Sequence, residues 1–316
     1  MTPPRSPEGE QGRGAAASAP GRPVATDEPR SGSDDGASAS GGEQSGGDGP
    51  ATGTRFSAVE IYENVKAAAE EELERPTSAL FWSALAAGLT IGFSFVGGAY
   101  ASTLVGEEHR TAASAAVYPL GFILVVLARQ QLFTENTLEP VIPLLNDFSQ
   151  RLLVQVARLW AVVLVANMLG ALIFAIVAAR TPVLEGSMLA ALDRVAEHAT
   201  EGGFWTVAYR AVFAGWLIAL MAWLVASTHA TGAQIVLVWL TTAPIAAFGF
   251  RHSIAGAVEA FYRAARGSAS WGSMVGEFIV PAVLGNIVGG VLLVALLNHA
   301  QVAAEKAEKK EGKRGG

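Results

Sequence analysis

Of the chain's 316 residues, 51% are hydrophobic and only 16% charged, well below the quarter usual in soluble proteins. A formal net charge of −6 offers no basic surface to nucleic acid, and with no cysteine there is no disulfide, thiolate metal site or thiol nucleophile. A lipid-embedded protein remains.

Residues 1–55 are Gly, Ser, Pro, Ala and Asp with almost no large apolar side chains, too few to offset ordering entropy, so a disordered tail is expected. The first continuous apolar stretch begins near residue 79, too late for a cleavable signal, so the first span is expected to direct insertion. Val59, Ile61, Tyr62, Val65, Ala69 and Leu73 recur at three- and four-residue steps, which predicts an amphipathic interfacial helix over 56–76. A soluble helix packed on a domain is the alternative. Pro76 then turns the chain into the membrane.

Residues 76–106 carry no charge and exceed the roughly 30 Å hydrocarbon core at about 1.5 Å per residue. Comparable runs follow at 113–128, 159–179, 211–228, 233–250 and 278–298, giving six spans within a membrane domain over 77–300. An even count puts both ends on one side. The tail over 301–316, with Lys306, Lys309, Lys310, Lys313 and Arg314, places that side in the cytoplasm by the positive-inside rule.

Polar residues interrupt the second and fifth spans. The second meets Arg129-Gln130-Gln131-Leu132-Phe133-Thr134-Glu135-Asn136 before resuming with Pro140 and Pro143, and the fifth breaks at Gly249-Phe250-Arg251-His252-Ser253. Non-helical backbone survives at membrane depth only where protein or a wet cavity satisfies it, so paired broken helices point to a solute path. A shift of 119 positions lays Ala166-Asn167-Met168-Leu169-Gly170 on Gly285-Asn286-Ile287-Val288-Gly289, and Phe133-Thr134 on His252-Ser253. Three spans per repeat impose inverted topology, with both breaks converging near the midplane.

Leu132-Phe133-Thr134 in the second span, Arg210 with Trp216 in the fourth, Gly249 to Ala255 in the fifth and Gly285-Asn286-Ile287-Val288-Gly289-Gly290 in the last resemble the formate/nitrite transporter family over residues 57–300. The run from Arg129 to Thr137 is similar to its divergent YfdC-like branch. The resemblance implies an all-α, aquaporin-like fold and a homopentamer with one pore per protomer. It also implies passage of small monovalent anions across a bacterial-type cytoplasmic (inner) membrane. Carried onto this chain, Leu132 and Phe133 stand at the constriction, Thr134 is the loop threonine, His252 the central pore histidine with Phe250 nearby, and Asn167 and Asn286 the supporting asparagines. No cofactor or metal is implied.

Physically, an anion entering low dielectric needs compensation, which helix N-termini and a histidine supply, and a histidine also titrates near neutrality. A histidine satisfied by a neighbouring carbonyl is the plainer alternative. Departures from the family bear on the solute: Arg251 stands where transporting members carry an acid, Gly256 replaces an asparagine, Gln234 a lysine, and Glu135 adds an acid. Glu135 is expected to pair with Arg251 or Arg129, because isolated charges at this depth are costly. His252-Ser253 adjacency lacks the acid and elbow glycines of a hydrolase, so no catalytic residue is assigned. Glycines at 88, 92, 97, 98, 289 and 290 read as helix contacts, and Trp82, Trp160, Trp205 and Trp271 as interfacial anchors. An anion channel or proton-coupled transporter, a neutral-solute pore and a closed scaffold stay open.

Overall fold

The computed structural model describes residues 56–312, so the expected N-terminal tail and the last four residues lie outside it. Among the described residues every regular element is helical. Helix α1 (Ala58–Glu74) starts with a capping box: the Ser57 hydroxyl accepts from Glu60 N and the Glu60 carboxylate accepts from Ser57 N. The apolar face predicted from sequence is real, but Tyr62, Val65, Ala69 and Leu73 are buried against protein. The expected interfacial helix therefore packs on the bundle instead of lying in lipid with this face. Arg158 donates to the Leu73 and Arg75 carbonyls and secures the helix's C-terminal end.

The first crossing is α2 (Thr77–Thr90) continued by α3 (Gly92–Thr103). The second is α4 (Arg110–Val117) and α5 (Pro119–Leu127), which stops, passes through a loop and a 3-10 turn at Glu135–Thr137, and finishes as α6 (Val141–Asn146). An unbroken α7 (Gln150–Arg180) follows. Helix α8 (Ser187–Ala199) lies between the third and fourth crossings and is absent from the sequence-based reading. The fourth crossing is α9 (Phe204–Val225), and the fifth is α10 (Thr231–Ala247) and α11 (Ser253–Arg266), separated by the second break. The sixth runs from α12 (Trp271–Ser273) through a π-helical turn to α13 (Val280–Gly290), a second π-helical turn and α14 (Leu296–Gly312). Among the described residues five helical stretches are long and apolar enough to cross a membrane, and α10 at 17 residues supplies the sixth only together with its partner half.

The two repeats are inverted three-span units. In the first, α2 crosses α7, and a Cβ on Gly88 or Gly170 would run into the backbone at Asn167 or Leu85. In the second, α9 crosses α13 by the same device, Gly215 against Asn286 and Gly289 against Val212. Small residues let the backbones meet at these two crossings.

Both breaks are made alike. Gln130 N donates to Val125 O and Arg129 N to Val126 O, while Phe250 N donates to Ile245 O and Gly249 N to Ala246 O. This is the Schellman pattern, whose C′ residue takes the left-handed conformation: Gly249 at φ 65° and Arg129 at φ 51°. The second repeat uses the residue type that adopts this conformation freely, and the first does not. A Cβ at Gly249 would meet nothing closer than 3.9 Å, so only backbone preference is at stake there. Arg129→Gly is expected to stabilise the detergent-solubilised protein by about 1 kcal/mol and Gly249→Ala to destabilise it by about as much. Thermal unfolding checks this, and shifts of the same sign in both would contradict it.

Candidate functional site

One asparagine per repeat fixes the chain where it leaves each break. Asn167 Oδ1 accepts from Phe133 N at 2.8 Å, and its amide donates to Ala84 O and Gln131 O. Asn286 Oδ1 accepts from Ser253 N at 2.8 Å, and its amide donates to Ala211 O and Arg251 O. Both side chains are fully buried, and each makes three hydrogen bonds. Their partners correct the repeat alignment: Gln131 matches Arg251 and Phe133 matches Ser253, a shift of 120 at the breaks although the asparagines differ by 119. Leu132, rather than Phe133, is therefore equivalent to His252.

His252 sits at the N-cap of α11, where its Nδ1 accepts from Ala255 N at 3.0 Å. Its ring proton is thereby placed on Nε2, which donates to Thr134 Oγ1 at 2.8 Å. Phe122 meets the ring edge-on at 4.9 Å. The threonine hydroxyl, accepting from the ring, keeps its own proton to offer elsewhere. Thr134 and His252 thus join the two breaks by one hydrogen bond, both nearly inaccessible.

A cavity lies on each side of that contact. One, of about 390 Å³, is an antechamber lined by α8 residues such as Arg194 and His198, by Phe250 and Arg251, and by His252 itself. The other, of about 440 Å³, is a vestibule lined by Asn64 and Glu72 of α1 and by Arg129, Gln131, Glu135 and Glu139. The buried segment Leu132–Thr134 contributes to neither lining. Phe133 turns instead toward Trp160, whose indole donates to Asn136 O, so Trp160 braces the loop and is no interfacial anchor. Trp82, Trp205 and Trp271 are exposed. Phe250 stacks on Phe213 at 5.1 Å beside the antechamber.

The expected charge cluster is not formed. Arg251 lines the antechamber and donates through Nη2 to the carbonyls of His198 and Glu201, whereas Arg129 and Glu135 line the vestibule. No ion pair among the described residues joins Glu135 to either arginine. Inversion is the reason: Arg251 is equivalent to Gln131, and residues at one level of inverted repeats face opposite sides of the membrane. The sequence reading missed Gln131 and Asn136, which brace the first break through an amide hydrogen bond of 2.9 Å, and the buried Tyr118 and Glu259. Glu259 had a visible signal, lying seven residues after His252 on the same helical face.

Two inverted repeats, each contributing a half-crossing, that meet at a polar contact between two cavities define a membrane pore protein of aquaporin-like architecture. The formate/nitrite transporter family model matches residues 59–300, and the chain belongs to that family. It is 34% identical over 255 residues to the inner membrane protein YfdC of Escherichia coli (strain K12), covering 80% of this chain and 82% of that protein. It is 31% identical over 202 residues to the uncharacterized transporter YrhG of Bacillus subtilis (strain 168), covering 63% of this chain and 74% of the relative. A pentameric formate channel solved with formate bound shares the fold at a TM-score of 0.59 and 22% identity, over 73% of this chain and 96% of that one.

Replacing Asn167 or Asn286 by alanine removes three buried hydrogen bonds and orphans an amide at membrane depth. Each substitution is expected to cost about 3 kcal/mol or more. A melting temperature in detergent unchanged by either substitution would contradict the assignment.

Proposed function

We propose that this protein conducts small monovalent anions of the formate or nitrite kind through a pore in each protomer of a homopentamer in a bacterial-type cytoplasmic membrane. The observation that carries the reading is the His252–Thr134 hydrogen bond at the partition between two cavities. An anion arriving there displaces that bond and accepts from both Nε2–H and the threonine O–H. Two neutral donors then replace part of its hydration without a fixed charge to trap it.

The same geometry favours channel-like passage over a proton handed on by the ring. A neutral imidazole has no proton to give at ordinary pH, and a second one on Nδ1 would displace the Ala255 N–H bond. Leu132, beside Thr134, stiffens the partition, Phe133 braces it against Trp160, and Asn167 and Asn286 act as its supports. Both termini lie on the cytoplasmic side in this reading. It is supported by the packing of α1 on α14, where Lys306 pairs with Glu63 at 2.5 Å and the Tyr62 hydroxyl meets His299 Nδ1.

Proteoliposomes are expected to take up labelled formate and nitrite but exclude glycerol. Thr134→Val, which removes one donor and keeps the shape, should slow anion uptake roughly tenfold or more. Glycerol uptake matching that of the anions would favour a neutral-solute pore, and no uptake of any of the three a closed scaffold. Native mass spectrometry in mild detergent should show five copies, and a dimer or trimer would contradict the assembly.

A further inference from the structure

Helix α8 forms one side of the antechamber, with Arg194, Val195, His198 and Ala199 in the lining. Its apolar grip on the bundle is small: of its 13 residues only Ala191, Leu192 and Ala196 are buried, whereas the 14-residue α11 against which it packs is buried nearly throughout. Both ends of the helix are glycine joints. Gly186 at the N-cap has φ 56° and Gly202, just past the last turn, φ 117°, conformations that only glycine adopts freely. A Cβ on Gly186 or on the adjacent Gly203 would meet nothing within 4 Å, so both joints have room to turn.

Polar contacts supply the rest of the hold, and they come from α11 and the break before it. Asp193 accepts from both arms of Arg266, Nε to Oδ1 and Nη2 to Oδ2 at 3.3 Å each, and from the Tyr262 hydroxyl at 3.1 Å. The Arg266 and Asp193 side chains are 35% and 44% exposed, so water competes for this outer latch. At the other end Arg263 donates to the Thr200 hydroxyl at 2.8 Å, and Arg251 to the His198 and Glu201 carbonyls at 3.1 and 3.0 Å. Those carbonyls lie at the C-terminal end of α8, where helix groups lack internal partners and a cation is favoured. Arg251 is buried and directly precedes His252, so this inner latch is built on the partition's own backbone.

We propose that α8 is a hinged lid on the antechamber, turning on Gly186 and Gly202 and held down by α11 through the outer latch at Asp193. The two latches differ in role because they differ in burial. The outer one, reached by water, yields first, while the buried Arg251 keeps the C-terminal end in place as the pivot. Opening then lifts Arg194 and Val195 away from the lining and bares Ser102, another lining residue that is only 3% exposed with the lid down. A small apolar grip and a half-exposed latch put this motion among low-cost local openings, whereas the breaks, tied by buried asparagines, stay fixed. The lid controls access to the cavity whatever solute enters it.

The chain has no cysteine, so a single introduced thiol reports on a single place. Ser102→Cys in the antechamber and Ala226→Cys in the vestibule are each treated with a small water-soluble methanethiosulfonate in the detergent-solubilised full chain. Asp193→Ala, which removes the outer latch, is expected to speed modification at Ser102→Cys about fivefold or more and to leave the rate at Ala226→Cys unchanged. Arg266→Gln, which keeps the Tyr262 bond, should fall in between. Equal rates at Ser102→Cys with and without the latch overturn the proposal, as does a parallel rise at Ala226→Cys, the sign of general loosening. Should Asp193→Ala fail to assemble, Arg266→Gln decides. Asp193→Cys and Arg266→Cys bridged by a bifunctional methanethiosulfonate hold the lid down, and formate uptake into proteoliposomes should then fall about tenfold and return on reduction. Uptake indifferent to the bridge overturns the proposal, whereas absence of uptake in the wild type defeats the anion-conducting reading and leaves the thiol rates to decide on the lid.

Discussion

A helix that stops inside a bilayer leaves amide groups with no water to meet them, and in this protein one asparagine per repeat meets that need. Each binds an N–H and a C=O of its own break while donating to a neighbouring helix, so the break is tied to the crossing at Gly88 or Gly215. The glycines allow the helices close enough for the asparagines to reach, and the asparagines give the close approach its purpose. His252 and Thr134 face one another because their loops are held this way on either side. The α11 N-cap and the ring tautomer then follow from the same anchoring, since Nδ1 is already engaged where the helix starts.

The two cavities differ in charge. Arg110, Arg194 and Arg251 line the antechamber against Glu107 and Glu259, whereas Glu72, Glu135 and Glu139 line the vestibule against Arg129. A cleft lined mainly by one sign raises the local concentration of the opposite ion, so anions collect more readily on the α8 side. The symmetry of the backbone is thus not matched by symmetry of the field. Glu135 belongs to that second, more acidic lining, on the vestibule side of the partition.

Much of this was legible in the sequence, for definite reasons. Hydropathy gave the crossings because lipid demands apolar runs of fixed length, and the Gly–Asn pairs at 167–170 and 286–289 exposed the repeat because their contacts tolerate few alternatives. The one-residue slip at the breaks was not legible: 34 positions separate Phe133 from Asn167 but 33 separate Ser253 from Asn286, and a constant offset hides that difference. The supposed cluster of Arg129, Glu135 and Arg251 failed because nearness in a folded repeat was inferred without following which side inversion turns each residue toward. Periodicity found the face of α1 without revealing that α14 and α9 cover it, since an apolar stripe looks the same whether lipid or protein meets it.

The contact between His252 and Thr134 depends on where the ring carries its proton, which can be observed directly. Solid-state NMR of the protein in lipid with ¹⁵N-labelled histidine, His252 assigned by comparison with His252→Gln, distinguishes the tautomers at neutral pH. A neutral ring with the proton on Nε2 and a bare, hydrogen-bonded Nδ1 is expected. A ring protonated on Nδ1, alone or together with Nε2, would contradict it.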